Sequence, residues 1–339
     1  MSEQPVQPPP HARLAQMATG FILSRLVYVA ASLRLADHLA HGPKSAGELS
    51  GPTGCEAHPL HRFMRTLTNF GILTLGEDER FALTPLGDAL RSDAPGLARS
   101  SVLMSAGQMS WKAWEEFQYS VETGKPALDK VFGMPAFDYL AQHPEQARQF
   151  SETMVSIHGA EPPAVAEAYD FSSLDVIVDV GGATGNMLAH ILARHPRPKG
   201  VLFDLPQAMA DAPALLRVHG VESRVTLQAG SFFESVPVGG DAYVLSHVIH
   251  DWSEDQCLTI LGNCRKAMNA TSRLLLVELV LREGNLPGFG SADMVMMVLT
   301  GGAERTAREY ATLLARAGLR MTRVVPTSSS ASIVEAVLA

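Results

Sequence analysis

The sequence has 339 residues. Since a typical domain has roughly 150 residues, this length predicts about two domains. Hydrophobic residues make up 46% of the chain and charged residues 18%, a balance typical of a protein that buries a core. The formal net charge of −8 argues against a nucleic-acid partner, because nucleic-acid-binding surfaces carry clustered basic residues.

Cysteine usage and hydropathy indicate the compartment. The three cysteines, Cys55, Cys257 and Cys264, form no C-x-x-C pair, so we expect neither a disulfide framework nor a zinc site, and no metal. This pattern favours a cytoplasmic protein, since the cytosol keeps thiols reduced. The sequence has no signal-peptide pattern and no run of about 18 uninterrupted apolar residues, so we expect neither secretion nor a membrane partner.

The N-terminal part of the chain has the element order of a winged helix. Residues 1–10 are rich in Pro and Gln, and we expect them to be disordered. Apolar residues at three- and four-residue spacing predict a helix over residues 11–39. A second helix over residues 58–70 precedes two short apolar segments at 72–75 and 81–83, which predict a hairpin.

A winged helix first suggests DNA binding, but the charges of this one disfavour it. The helix over residues 58–70 carries Arg62 and Arg65 as its only fixed positive charges, too few for strong phosphate contact. A ligand-sensing DNA regulator is therefore the less favoured interpretation of this region.

Residues from about 104 to 168 have a mostly helical pattern, and after residue 170 the pattern changes. Apolar runs alternate there with helical stretches, which predicts an α/β fold with a parallel sheet covered on both faces. The runs lie at residues 176–180, 201–203, 225–227, 243–245 and 274–277. The last predicted elements are a helix and two closing strands, at residues 307–317, 321–325 and 333–337.

A predicted strand runs directly into a glycine turn. The turn glycines are Gly181, Gly182 and Gly185. They let the backbone approach a ligand closely, because no Cβ stands in the way. The dinucleotide fingerprint needs glycine at three positions that here hold Gly181, Ala183 and Asn186, so a nicotinamide dehydrogenase is disfavoured.

Two acidic residues accompany the glycine turn. Asp179 precedes it, where a carboxylate would repel a pyrophosphate and attract the ammonium of an amino acid. Asp204 ends the next strand, with Leu205 after it, and acids in this position accept hydrogen bonds from ribose hydroxyls. Either acid alone is consistent with a solvated strand end. Together with the turn they predict S-adenosylmethionine as the cofactor.

Two histidines, His247 and His250, follow the fourth predicted strand. Histidine titrates near neutral pH, so His250, beside Asp251, is a candidate general base for a substrate hydroxyl. We interpret His247 as structural. Glu278 ends the fifth strand and Glu304 precedes the last large helix, and a carboxylate that hydrogen-bonds an imidazole fixes its tautomer. A histidine that satisfies only backbone groups, and carboxylates that are only solvated, are the alternatives.

These motifs extend over nearly the whole chain, which closely resembles the dimeric small-molecule O-methyltransferases, a family with plant caffeic-acid-type and bacterial antibiotic-tailoring members. The resemblance is carried by TGKP (123–126), DVGGATGN (179–186), FDLP (203–206), GSFFESVP (230–237), HVIHDW (247–252) and GGAERT (301–306). It implies linking helices and a Rossmann-like class I methyltransferase domain over residues 106–339. Residues 11–105 then form a mainly helical, winged-helix dimerisation domain.

The resemblance also implies roles for individual residues. His250 would be the base, with Glu278 and Glu304 as its orienting carboxylates. Cofactor contacts would come from Gly181, Asp204, Ser231, Phe232 and Ser246. Ser231 stands where many members carry aspartate, and Ser246 where many carry lysine or arginine, so neither position supplies the usual charge. The implied partner is a second copy, whose N-terminal helices interlock with those of the first and help to close its pocket.

The implied acceptor is a small aromatic or polyketide-like secondary metabolite with a hydroxyl group. Its pocket is predicted from scattered residues, namely Trp111, Phe117, Met154, His158, Asp251 and Met297. Some relatives keep the cofactor but decarboxylate, hydroxylate or cyclise their substrates, and methylation at nitrogen or carbon is a further alternative. The combination of His250, Glu278 and Glu304 favours ordinary methyl transfer.

Overall fold

The computed structural model describes residues 9–284 and 291–339, and the chain divides into two compact units. The first unit contains the residues up to Lys112 and the segment Phe137–Ile157. The second unit contains Ala113–Ala136 and His158–Ala339. The chain thus passes between the units more than once, whereas the sequence predicted one boundary near residue 105.

The N-terminal segment that was predicted as one helix consists of three. They are α1 Pro10–Ala18, α2 Gly20–Ser32 and α3 Leu35–Leu39. The prediction of a single helix is wrong because helical spacing of apolar residues continues across the breaks. Thr19 leaves the helical conformation, and Arg34 has a left-handed φ of 54°, which re-aims the chain.

The winged-helix order is present in the first unit. Its elements are α4 Ala46–Thr53, α5 Ala57–Asn69, β1 Leu73–Leu75 and β2 Phe81–Leu83. The two strands pair antiparallel as a hairpin. Helix α5 buries Leu60, Met64 and Leu67, which lie on one face because they are three and four residues apart.

Short helices follow the hairpin, as the sequence predicted. They are α6 Pro85–Asp88, α7 Ala98–Ser105, α8 Gln108–Glu115, α9 Phe117–Thr123, α10 Ala127–Phe132, α11 Ala136–Gln142, α12 Pro144–His158 and α13 Glu161–Ala168. Helices α9 and α10 belong to the second unit, and both contact a later helix of that unit, α17 Ser291–Leu299.

The second unit is built on one large sheet. Its strands are β3 Val176–Val180, β4 Lys199–Asp204, β5 Val225–Ala229, β6 Ala242–Ser246, β7 Arg273–Glu278, β10 Leu319–Pro326 and β11 Ser332–Leu338. The strand order is β10-β11-β7-β6-β3-β4-β5. The five strands β3 to β7 run parallel, whereas β10 and β11 close one edge antiparallel. The predicted α/β fold of the Rossmann-like class is thereby confirmed.

Helices cover both faces of this sheet. They include α14 Asn186–Arg194, α15 Ala212–Val218, α16 Glu254–Ala267 and α18 Ala307–Arg316. Alternate side chains of a strand point to opposite faces, so Val178 of β3 packs in the core with α16 and α18, while Ile177 packs in the core with α14 and α15. A small parallel pair, β8 Val280–Leu281 and β9 Arg305–Thr306, lies outside the large sheet.

Helices α1 and α2 expose large apolar side chains. Leu14, Met17, Phe21 and Ile22 are between 47% and 70% exposed. By length and composition Pro10–Ser32 also has the properties of a membrane-spanning helix. Arg25 interrupts the apolar residues there, and its guanidinium donates to the carbonyl of Ala106 and stacks on two aromatic rings. A face of this kind fits the homodimer that the sequence predicted, since large exposed apolar patches mark interaction surfaces.

Replacing Phe21 by Glu tests this interface. We expect Phe21→Glu to shift the protein from dimer to monomer in analytical ultracentrifugation, because burying an unpaired carboxylate is unfavourable. Val218, which is 85% exposed on α15, offers a matched control, and Val218→Glu is expected to leave the oligomeric state unchanged. A Phe21→Glu variant that stays dimeric would show that the two copies meet elsewhere.

Candidate active site

The glycine turn connects β3 to helix α14. Gly181 and Gly185 have φ values of 73° and 77°, a left-handed conformation that favours glycine. A Cβ on Gly182 would lie 2.5 Å from the carboxylate of Asp179, so this position has no room for a side chain. The turn therefore presents bare backbone at the carboxyl edge of the sheet, where ligands of α/β proteins bind.

The acid predicted to face the turn, Asp179, lies beneath it and is only 1% exposed. Burial and, after it, the charge of Asp204 raise its pKa to about 7, against the opposing effect of the amide of Leu188. The sequence interpretation placed the carboxylate of Asp179 at the turn, facing a ligand. In the structure this carboxylate is instead buried. It is a buried acid that packs beneath the turn, against the position of Gly182.

Asp204, at the end of β4, is tied to the same turn. One carboxylate oxygen accepts a hydrogen bond from the amide of Ala183 at 2.8 Å, and the other accepts one from the amide of Leu205 at 2.6 Å. Burial raises the pKa of Asp204, and the two amides oppose that shift. Asp204 thus fixes the turn in addition to offering acceptors to a ligand.

The other predicted cofactor residues lie at the same edge. Ser246 is the last residue of β6, next to β3 in the sheet. Ser231 precedes Phe232, whose ring lies so close to the turn that a Cβ on Gly181 would be 3.3 Å from it. The sequence analysis missed Asn263, whose side-chain amide donates to the carbonyls of Phe232 and Phe233 at 3.0 Å and so holds that segment.

The structure brings together the predicted base, His250, and its two predicted carboxylates, Glu278 and Glu304. His250 lies in a short 3-10 turn after β6 and is 8% exposed. Its Nδ1 is 2.8 Å from Glu278 Oε2 and 3.6 Å from Glu304 Oε1, while its Nε2 is 3.6 Å from Asp251 Oδ1. The second oxygen of Glu278 accepts from the amide of Ile249 at 2.9 Å, which fixes the carboxylate against the histidine loop.

The carboxylates set the charge of this site. Burial alone lowers the pKa of His250, but the charges of Glu278, Asp251 and Glu304 outweigh it and raise that pKa to about 10. Burial raises the pKa of Glu304 to about 7, against the charge of His250. Burial likewise raises the pKa of Asp251 to about 6. A buried imidazole surrounded by carboxylates is a group that accepts and holds a proton.

Backbone contacts hold His250 from the side of the GGAERT segment, which the sequence analysis did not foresee. The amide of Ala303 donates to the carbonyl of His250 at 2.9 Å, and a Cβ on Gly302 would lie 1.9 Å from that oxygen. Arg305, which is buried, donates to the carbonyls of Ile249 at 3.3 Å and Ala303 at 2.9 Å. The glycines of this motif were the available signal, because glycine permits such close approach.

A second group of histidine and carboxylate side chains lies beside the first. Glu161 Oε2 is 2.5 Å from His247 Nε2, and Glu161 Oε1 is 3.2 Å from His158 Nδ1. The rings of His158 and His247 have centroids 3.9 Å apart. Donor atoms of the three residues lie within 4.8 Å of one another, a spacing that also suits a metal ion. The sequence analysis interpreted His247 as structural and missed its partner Glu161.

The predicted acceptor residues fall in both units. Phe117 begins α9 and Met297 lies on α17, two helices in contact within the second unit. Trp111 and Met154 belong to the first unit, where the guanidinium of Arg25 lies 4.6 Å from the Trp111 ring. The roles of these side chains in binding an acceptor stay predictions.

Two family models match the chain. A model of the O-methyltransferase domain matches residues 114–320. A model of the O-methyltransferase dimerisation domain matches residues 15–93. These matches contain the glycine turn, the histidine loop and the winged helix.

Individual proteins are similar over almost their full length. The chain is 43% identical to phenazine O-methyltransferase PhzM of Lysobacter antibioticus, over 95% of each chain. It is 32% identical to the 8-amino-8-demethylriboflavin N,N-dimethyltransferase of Streptomyces davaonensis, over 95% of this chain and 94% of that protein. Among solved structures, the O-methyltransferase NcsB1 of neocarzinostatin biosynthesis, in complex with S-adenosylmethionine and 2-hydroxy-5-methyl naphthoic acid, has a TM-score of 0.84, 31% identity and coverage of 94% and 96%.

The charge of His250 predicts its titration in the ligand-free protein. We expect its imidazole to titrate near pH 10 in a carbon-detected NMR experiment, and the pKa to fall in Glu278→Gln, because the lost carboxylate no longer favours the imidazolium. Since the folded pKa lies above the ordinary 6.5, the pairing stabilises the folded protein fully below that pH, and the contribution is lost as the pH rises toward 10. An unchanged titration in Glu278→Gln would contradict this account.

Proposed function

Because the chain belongs to the O-methyltransferase family with an N-terminal dimerisation domain, we propose that it methylates a hydroxyl group of a small aromatic natural product. Family membership makes it an S-adenosylmethionine-dependent methyltransferase of the natural-product tailoring type, and the dimerisation domain supports a homodimer. The phenazine and naphthoic acid named for two relatives support a flat aromatic acceptor. A cytoplasmic location remains a prediction from the sequence.

The residues at the glycine turn fit S-adenosylmethionine. When bound, the cofactor supplies an activated methyl group on a positively charged sulfur. The turn has bare backbone at the carboxyl edge of the sheet, where ligands of α/β proteins bind, and Gly182 has no room for a Cβ. Asp204 would accept hydrogen bonds from the ribose, and Gly181, Leu205 and Phe232 would line the same part of the site. Asp179, buried below, would act through the turn.

Ser231 and Ser246 would complete the cofactor site as neutral hydrogen-bonding groups. Gly185 would contribute only its backbone, as the residue that leads into α14. This division leaves Asp204 as the residue whose side chain we expect to contribute most to cofactor affinity.

His250 would remove the proton from the acceptor hydroxyl. Its Nδ1 faces Glu278, which leaves Nε2 as the atom that accepts the proton. A phenol has a pKa of about 10 and is a poor nucleophile at neutral pH, so loss of its proton during attack lowers the barrier. Glu278 would hold the imidazole orientation and stabilise its cation, as the carboxylate of a catalytic triad does. Alignment of the two bound reactants would supply much of the remaining acceleration.

The charge of the site constrains this mechanism. With a pKa of about 10, His250 is an imidazolium at neutral pH in the ligand-free protein, and that form cannot take a proton. The neutral form is favoured by positive charge nearby, and a sulfonium cofactor brings such a charge. A bound sulfonium would therefore make His250 a more effective base than it is in the ligand-free protein.

The observation that carries the proposal is the buried His250 with Glu278 and Glu304 at its Nδ1, one strand away from the glycine turn. Methylation at nitrogen is the second candidate, favoured by the similarity to a riboflavin N,N-dimethyltransferase. The same base would serve an amine or a ring nitrogen that must lose a proton. If the protein keeps the cofactor but does not transfer its methyl group, as some relatives do, its products would lack the added methyl.

Replacing His250 by Ala tests the base. We expect turnover of a phenolic acceptor to fall by about a hundredfold or more, since general-base catalysis contributes roughly that much, while cofactor binding persists. His219, at the end of α15 with its ring 4.5 Å from that of His190 on α14, offers a matched control, and His219→Ala is expected to retain activity. Turnover within about threefold of the parent would contradict the base assignment. Product mass spectra and NMR then distinguish methylation at oxygen from methylation at nitrogen.

Calorimetric titration with S-adenosylmethionine and S-adenosylhomocysteine tests the cofactor site. Asp204→Ala is expected to weaken binding by at least about tenfold, because hydrogen bonds to a charged group contribute roughly 1.5–3 kcal/mol. Asp211 is exposed and caps no helix through its side chain, so Asp211→Ala is the control that should bind normally. Equal affinity of both variants for the cofactor would exclude Asp204 from the site.

A further inference from the structure

The buried acid Glu161 is not used in the proposed mechanism. It lies in the first turn of α13 and is only 2% exposed. Its two oxygens contact His247 at 2.5 Å and His158 at 3.2 Å, and the hydroxyl of Ser330 donates to it at 2.9 Å. A carboxylate that is buried this completely needs such partners, since an unpaired buried charge is strongly destabilising. These partners hold Glu161 as a buried anion in the second unit.

The main partner, His247, occupies the position that directs the chain from β6 toward His250. Ser246 ends the strand, and the 3-10 turn with His250 begins at Ile249. His247 has a left-handed φ of 53°, which is unfavourable for a residue with a Cβ and persists only where the surroundings enforce it. Its amide donates to the carbonyl of Val277 at 3.0 Å. Its Nε2 is paired with Glu161, and its ring also packs on those of His158 and His250.

The two histidine–carboxylate groups are in contact. The ring centroids of His247 and His250 lie 5.2 Å apart. A change in the backbone conformation of His247 therefore moves His250 relative to Glu278, which approaches it from β7, and Glu304, which approaches it from the segment before β9. A displacement of about 1 Å in a reacting group is enough to cost up to about a hundredfold in rate.

We propose that Glu161 is a positioning residue, which clamps His247 in its left-handed conformation and so aims His250 at the acceptor hydroxyl. The inference rests on the proposed role of His250 as the base. It assigns to the first turn of α13 a part in methyl transfer, although Glu161 does not touch the reacting atoms.

The charged groups around this clamp come from several elements. Glu161 of α13 and His158 at the end of α12 face His247 on one side, and His250 and Glu278 lie on the other. His158 also faces Asp251, the neighbour of His250. Burial raises the pKa of Glu161, but the contacts with His158 and His247 outweigh burial and lower it to about 2, so Glu161 stays a carboxylate at neutral pH.

The first test is steady-state kinetics of Glu161→Gln in the full-length dimer. The amide keeps the shape but loses the charge, and we expect kcat to fall about ten- to a hundredfold while the calorimetric Kd for S-adenosylmethionine stays within about twofold. Glu167 is exposed on the same helix, and Glu167→Gln is the matched control, expected to keep full activity. A Glu161→Gln variant with unchanged kcat would overturn the proposal, and so would one in which cofactor affinity falls with kcat.

The second test separates this inference from the proposed function. In a double-mutant cycle, Glu161→Gln is expected to have no further effect once His250 is Ala, because the clamp acts through that residue. If His250→Ala retains activity, the proposed function fails. If His250→Ala is nearly inactive and adding Glu161→Gln lowers its residual rate further, only the positioning role of Glu161 fails. Metal that copurifies with the protein, lost in Glu161→Gln and required for activity, would identify a metal site instead and overturn the clamp.

Discussion

The arrangement of the second unit depends on one unfavourable element, the burial of an imidazole with several carboxylates. Removing such groups from water costs several kcal/mol per ion unless they pair closely. His250 and Glu278 lie within 2.8 Å of each other, and Glu278 also accepts from the amide of Ile249. The parallel sheet makes this possible, because neighbouring strands β6 and β7 end at the same edge and bring a histidine loop and a carboxylate together.

Much of the second unit follows from its sequence. The apolar runs of β3, β6 and β7 are continuous because both sheet faces are buried there, whereas the edge strand β5 is largely exposed. The runs predicted strands β3 to β7 to within two residues at each end. The glycine turn and the acids at strand ends also follow, since strand order determines which loops share an edge. The prediction of a single N-terminal helix was wrong. The spacing of apolar residues does not reveal a break such as the one at Arg34, which neither proline nor glycine marks.

The features that could not be predicted are side-chain positions and contacts set by packing between residues far apart in the sequence, rather than by residue type. Asp179 is the acid that the sequence predicted beside the turn, but its side chain packs beneath the turn, against the position of Gly182. The sequence does not show on which side of a turn a side chain lies. Glu161 is separated by 86 residues from His247, and no periodicity connects them. Its position after His158-Gly-Ala resembles an ordinary helix start. Only the three-dimensional structure shows that this acid is buried between two imidazoles.

The close approach of Gly302 to the carbonyl of His250 bears on how the range of acceptor molecules can change during evolution. The base is held here by backbone atoms, because Ala303 donates from its amide and Gly302 leaves no room for a side chain. Just before this segment, α17 carries Met294, Met296 and Met297, whose flexible side chains adapt to neighbours of different shape. Substitutions on α17, which carries the proposed acceptor residue Met297, leave these backbone contacts of the proposed base His250 in place. Under the proposed roles, new acceptors can therefore arise by single substitutions while the base keeps its position.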